Sequence, residues 1–120
     1  MADVASVPAQ LESAVEQIVQ QRSQAIVVVA DAMYLAQGAR LQELMQSTKL
    51  PVAYGWREHV AAGGLFSYAA DLPASFRYAA KWVDKILKGA KPADLPVEQS
   101  TKFELVINLK TAQTLGVSIP

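Results

Sequence analysis

Two kinds of apolar pattern alternate along the chain. One recurs every three to four residues and predicts amphipathic helices; the other is a short continuous or alternating run and predicts strands. Leu11, Ala14, Val15, Ile18 and Val19 share one helical face, so a helix is expected from Ser6 to about Arg22. Ser6 suits its N-cap. Pro8 suits the first turn, where its missing N–H would have no partner anyway. Ala25–Ala30 is a continuous β-branched run, AIVVVA, of the kind found in parallel strands covered on both faces. Asp31-Ala32-Met33 turns the chain into a second helix, Tyr34–Thr48, with Tyr34, Leu41, Leu44, Met45 and Thr48 facing inward. Pro51–Tyr54 is a short strand ended by Gly55, Trp56–Ala62 a short helix or turn closed by Gly63-Gly64, and Leu65–Tyr68 a third strand.

Asp71 then caps a long helix reaching about Lys88, with Pro73 in its first turn and Gly89 just past its end. Leu72, Phe76, Ala79, Ala80, Val83, Ile86 and Leu87 form its apolar face. A Pro-rich link, Lys91–Pro96, leads into Val97–Leu109, where Phe103, Leu105, Ile107 and Leu109 alternate as in a strand, and Lys110–Leu115 is a short helical tail. Helices alternating with short apolar strands predict an α/β fold, an open and mostly parallel sheet with flanking helices and right-handed crossovers. Val97–Leu109 reads as a segment that leaves one layer of structure and joins another.

Composition narrows the function classes. The chain has 120 residues, 52% apolar and 18% charged, which fits one core-forming domain or half of a larger one. Eleven basic and eleven acidic side chains cancel, and no basic stripe exists for nucleic acid. Cysteine is absent, which removes disulfides, thiol nucleophiles and thiolate metal sites. No apolar run is long enough to span a bilayer. The start MADVASVPAQ lacks the basic and apolar regions of a secretory signal, so a cytoplasmic location is expected if Met1 is the natural start.

Open α/β sheets bind ligands outside the carboxyl ends of their strands. That rule selects Asp31 and Tyr34 after the first strand, Gly55 to His59 after the second, and Ser67, Tyr68 and Asp71 after the third. The candidate ligand contacts are Asp31, Tyr34, Trp56, Arg57, Ser67 and Tyr68. Arg57 or Ser67 suits a carboxylate, an acid suits an amine, and the rings suit walls for a small polar or zwitterionic molecule. Plainer roles stand beside these. Asp71 reads first as a helix cap. Arg57 and Glu58 also read as a solvated surface pair, and Tyr54 and Trp56 as core or pocket. His59 is the only histidine, so no metal site is expected. Ser67, His59 and Asp31 lack a G-x-S-x-G elbow, and Gly63-Gly64 matches no phosphate loop. No enzyme and no cofactor are expected.

The stretches LPVAYGWREHVAAGGLFSYAADL (50–72) and AAKWVDKILKGAKPADLPVEQSTKFELVINLKTAQTLGVSIP (79–120) resemble the ABC transporter substrate-binding protein family of the periplasmic type. VDKILKGAKPADLP and FELVINLKTAQTLG are the most specific parts. The resemblance covers nearly the whole chain and points to the C-terminal portion of such a protein. It implies a two-lobed, type I fold whose hinge closes a ligand between two parallel α/β sheets, for delivery to a membrane permease. It also implies a periplasmic location and a small organic ligand such as an amino acid. In this frame residues 1–95 form a C-terminal-lobe-like domain. Residues 96–120 form a crossover strand and tail helix that would complete the other lobe, pairing with a sheet outside this chain. An uncovered edge there makes the 97–109 segment a candidate homodimer contact. The alternative is a stand-alone half-domain with an interaction or regulatory role. Ala69 and Ala70 follow Tyr68 where family members often have glycine, which restricts backbone approach to a ligand.

Overall fold

A computed structural model describes residues 8–99 and 101–119. The predicted cap at Ser6 lies outside the described residues. A 3-10 turn at Pro8–Gln10 leads into α1 (Leu11–Gln20), which buries Leu11 and Val15. β1 (Ile26–Val28), β2 (Val52–Tyr54) and β3 (Phe66–Ala70) follow in parallel, with Val28 level with Tyr54 and Tyr54 level with Ser67. β4 (Phe103–Ile107) occupies the other edge, giving the order β1-β2-β3-β4. The Asn108 N–H, just past β4, donates to the Leu65 carbonyl, just before β3, at 2.8 Å. The end of β4 therefore lies at the start of β3, and β4 runs against the other three. The fold is α/β with an open, mostly parallel sheet.

The core forms on one face of β1 and β2. Ile26, Val28, Val52 and Tyr54 project there at strand spacing and meet Leu11 and Val15 of α1 and Leu41 and Met45 of α3 (Gly38–Thr48). Arg40 of α3 pairs with Glu12 of α1 across the two helices. Val27 and Val29 point to the opposite face and are 74% and 57% exposed. The β1 run, expected to be covered on both faces, is covered on one.

The helix expected over Tyr34–Thr48 is two helices. Asp31 caps a short α2 (Ala32–Ala36), its carboxylate accepting from the Met33 N–H at 2.7 Å. The chain leaves helical geometry at Gln37 and restarts at Gly38; glycine is the weakest helix former after proline. α4 (Arg57–Ala61) joins β2 to β3, and α6 (Leu109–Leu115) follows β4, capped by the Asn108 side chain on the Thr111 N–H.

The structure falls into two compact units. Residues 8–69 with 105–119 form the first, and residues 70–104 the second. The second contains α5 (Leu72–Leu87), with Asp71 capping the Ala74 N–H at 2.9 Å as the sequence suggests. No residue of α5 is buried, and Phe76 and Leu87 of its apolar face are 71% and 81% exposed.

Two expectations for the C-terminal stretch are corrected. Only Phe103–Ile107 of Val97–Leu109 forms a strand, because Glu98, Gln99, Thr101 and Lys102 supply no apolar alternation. That strand was expected to pair with a sheet outside the chain, yet it takes the edge beside β3.

Candidate functional site

The carboxyl ends of β1 and β2 bring two connections of the first unit to one end of the sheet, beside Ser67 and Tyr68 of β3. The strand register makes Val28, Tyr54 and Ser67 a buried row. The residues that follow each of them lie one step nearer the strand ends. Gly55 holds β2 close to β1: its N–H donates to the Val28 carbonyl at 2.9 Å, and a Cβ there would stand 2.4 Å from the Ala30 nitrogen. Only glycine allows that approach.

The six candidate contacts divide by surroundings. Asp31 is exposed and spends one carboxylate oxygen on the α2 cap. Tyr34 is half-buried and packs against the hydrophobic core, so its ring is part wall and part core. Trp56 is half-buried in extended geometry just before α4, and Arg57 opens α4 on the surface. Ser67 is fully buried while Tyr68 is 65% exposed. Strand alternation sends their side chains to opposite faces, so Ser67 and Tyr68 do not share a wall.

The β2–α4 connection holds unmet polar chemistry. Trp56 Nε1, Glu58 Oε2 and His59 Nε2 are buried and have no hydrogen-bond partner among the described residues. Buried polar atoms in folded proteins are almost always paired. His59 is 2% exposed and stacks on Tyr54, ring centres 5.1 Å apart. Burial pushes its imidazole below the ordinary value of 6.5, and the neighbouring Glu58 charge pulls the other way. The Tyr54 hydroxyl donates to Gln42 Oε1 at 3.1 Å, and burial pushes the phenol up to about 12. Among the described residues no three His, Cys, Asp or Glu gather as metal ligands.

The sequence leaves Tyr54 open between core and pocket, and places His59 in the loop after the second strand without making it a ligand contact. The signal for Tyr54 was its place two residues after Val52 in a strand, which puts both on one face. For His59 the adjacent Val60, equally buried in α4, was the available clue.

Comparisons with known proteins agree with this layout. Residues 2–120 match the family described as ABC transporter substrate binding protein. A conserved domain protein from Vibrio cholerae O1 biovar El Tor has a similar structure, with a TM-score of 0.89 and 27% identity over 98% of this chain and 40% of that one. The ABC domain from Streptococcus pneumoniae in complex with L-Trp gives a TM-score of 0.87 and 32% identity over 97% of this chain and 39% of that one. CD0873 from Clostridium difficile, a substrate-binding protein with adhesive properties, shares the fold at a TM-score of 0.61 and 18% identity. No curated protein matches. The chain spans about 40% of the length of the structures it matches. It belongs to the ABC transporter substrate-binding protein family, whose members bind solutes and are not enzymes.

Proposed function

We propose that this chain supplies one wall of the solute site in the binding component of an ABC-type importer, and that its solute is a small amino acid-like molecule with an aromatic body. The carrying observation is Trp56 Nε1, a buried donor without a partner at the carboxyl end of β2, where open α/β sheets hold their ligands. A neighbour at 32% identity is described in complex with L-Trp. In this reading Trp56, Tyr34 and Tyr68 offer aromatic surface. Arg57, on the outside of α4, takes the carboxylate, with Ser67 reaching only from within the sheet. Asp31 keeps one oxygen for an ammonium group. The solute is handed to a membrane permease outside the cytoplasm, as the family implies. No helix among the described residues is long and apolar enough to cross a membrane.

The test is calorimetric titration of this chain, and of the longest product of its gene, with L-Trp, L-Tyr, L-Phe and L-Leu. Saturable binding of an aromatic amino acid is expected, weakened about tenfold by Trp56→Phe, the size of one lost hydrogen bond. Absence of binding in both proteins, or an unchanged affinity in Trp56→Phe, overturns the proposal.

A second reading rests on a different observation. β4 is an edge strand, and Phe103 and Leu105 are 54% and 61% exposed. Exposed apolar edges promote pairing between chains, so the 97–109 segment is proposed as the contact of a homodimer with an interaction or regulatory role. Sedimentation separates the readings: a concentration-dependent dimer lost in Leu105→Lys supports it, and a monomer at every concentration removes it.

A further inference from the structure

A groove of about 650 Å³ opens in the first unit between α3 and α6. It is lined by Val52 and Tyr54 of β2 and by Leu65 just before β3, and shares none of the six residues proposed for the solute site. Its size is that of a small-molecule site. Met45, Val52, Leu65 and Leu115 line it with apolar surface. Among the described residues the basic side chains along its lining are Lys49, at the end of α3, and Lys110, in the first turn of α6. No aspartate or glutamate among the described residues lines it, and the first turn of α6 holds no acidic residue to offset Lys110.

Two amide groups converge on the same wall. A methyl group placed on Gly63 would stand 3.5 Å from Gln46 Nε2 and 3.8 Å from Gln42 Nε2. Gln42 is 7% exposed and its Oε1 already accepts from the Tyr54 hydroxyl, which leaves its NH₂, near Gly63, as the donor. Amide donors and two cations over an apolar floor match an anion that carries an apolar body. They disfavour a cation, which would meet two lysines and no carboxylate.

We infer that this groove is a second binding site, for a small amphipathic carboxylate such as a medium-chain fatty acid. Lys49 and Lys110 hold the carboxylate at the mouth and the chain lies along Met45, Val52 and Leu65. The inference is independent of the solute site, and its test does not use an amino acid.

The test titrates the 120-residue chain with decanoate, with decanol and decyltrimethylammonium as neutral and cationic controls of equal chain length. Binding is located by backbone amide NMR shifts. Decanoate is expected to saturate at one site, moving Gln46, Lys49, Lys110 and Thr111. Lys49→Gln with Lys110→Gln is expected to weaken it about fivefold, the range of two solvent-screened ion pairs. Decanol binding as tightly as decanoate would reduce the groove to a patch of apolar surface and overturn the inference. Shifts gathered on Phe76 and Val83 of α5 instead, or no saturation, would overturn it as well. Unchanged decanoate affinity in the double variant, with both proteins folded by the same NMR spectrum, does so too.

Discussion

Helices α3 and α5 carry the same kind of apolar pattern and meet opposite fates. In α3, Leu41 and Met45 are 1% and 5% exposed, closed in by β1, β2 and α1. In α5, a longer helix with a wider apolar face, no residue is buried. Both helices have sound local reasons to form: α5 has an Asp71 cap, a proline in its first turn and Gly89 at φ +99° past its end. An amphipathic pattern therefore states that a helix needs a partner and does not supply one. Most helical stability in proteins comes from packing the apolar face rather than from propensity. The unit with its own sheet satisfies that need. Among the described residues, the unit 70–104 has one long helix and sheet residues only at its ends.

The sharpest way to break this comparison is a pair of truncations. Leu41→Ala should cost the chain about 2–5 kcal/mol, the range for deleting a buried leucine side chain. Phe76→Ala should change stability by less than about 0.5 kcal/mol, as surface substitutions do. Urea unfolding of both variants measures the difference. A large cost for Phe76→Ala would show that α5 is covered in solution and would erase the contrast.

Smaller in effect is Gly55→Ala. The added methyl meets the backbone of Ala30, which cannot swing aside like a side-chain tip. A cost of about 1–3 kcal/mol is expected, the usual range for overpacking. Thermal melting checks it, and an unchanged midpoint would mean that β1 and β2 separate freely at their carboxyl ends.

The smallest effect is a pH dependence confined to the first unit. His59 is depressed below 6.5 when folded, chiefly by burial. The unfolded chain then binds the proton more readily, so stability is full above about pH 6.5 and falls as pH drops from there through the folded value. Hydrogen exchange should show the loss at amides of β2 and α4 and leave those of α5 unchanged. His59→Gln should flatten the slope below pH 6.5. A slope of equal size in the variant would assign the acid sensitivity to other groups.

Element type was largely legible from residue pattern. The strands at Ile26, Val52 and Phe66, the caps at Asp71 and Gly89, and the mostly parallel sheet follow from periodicity, β-branching and turn residues, which are local properties of the chain. The misread element bounds have local causes. Tyr34–Thr48 splits because a weak helix former at Gly38 sits where Asp31 has already started a separate turn. Val97–Leu109 shortens to Phe103–Ile107 because only that part has alternation on both sides of a ladder. At the candidate site, the loops were legible through the strand-end rule. The separation of Ser67 from Tyr68 follows from strand alternation within β3, whereas the burial of His59 against Tyr54 was not legible, since it depends on which sheet face a helix covers.

The sequence by itself determined the class of each element, the family through its C-terminal motifs, and the absence of cysteine chemistry. Each of these is written in residue type and spacing. Tertiary structure alone decided which apolar faces found partners, where β4 docked, and which polar atoms of Trp56, Glu58 and His59 were closed off from hydrogen-bonding groups. Burial and pairing depend on segments distant in the chain, and the pattern of any one segment is compatible with several such partners.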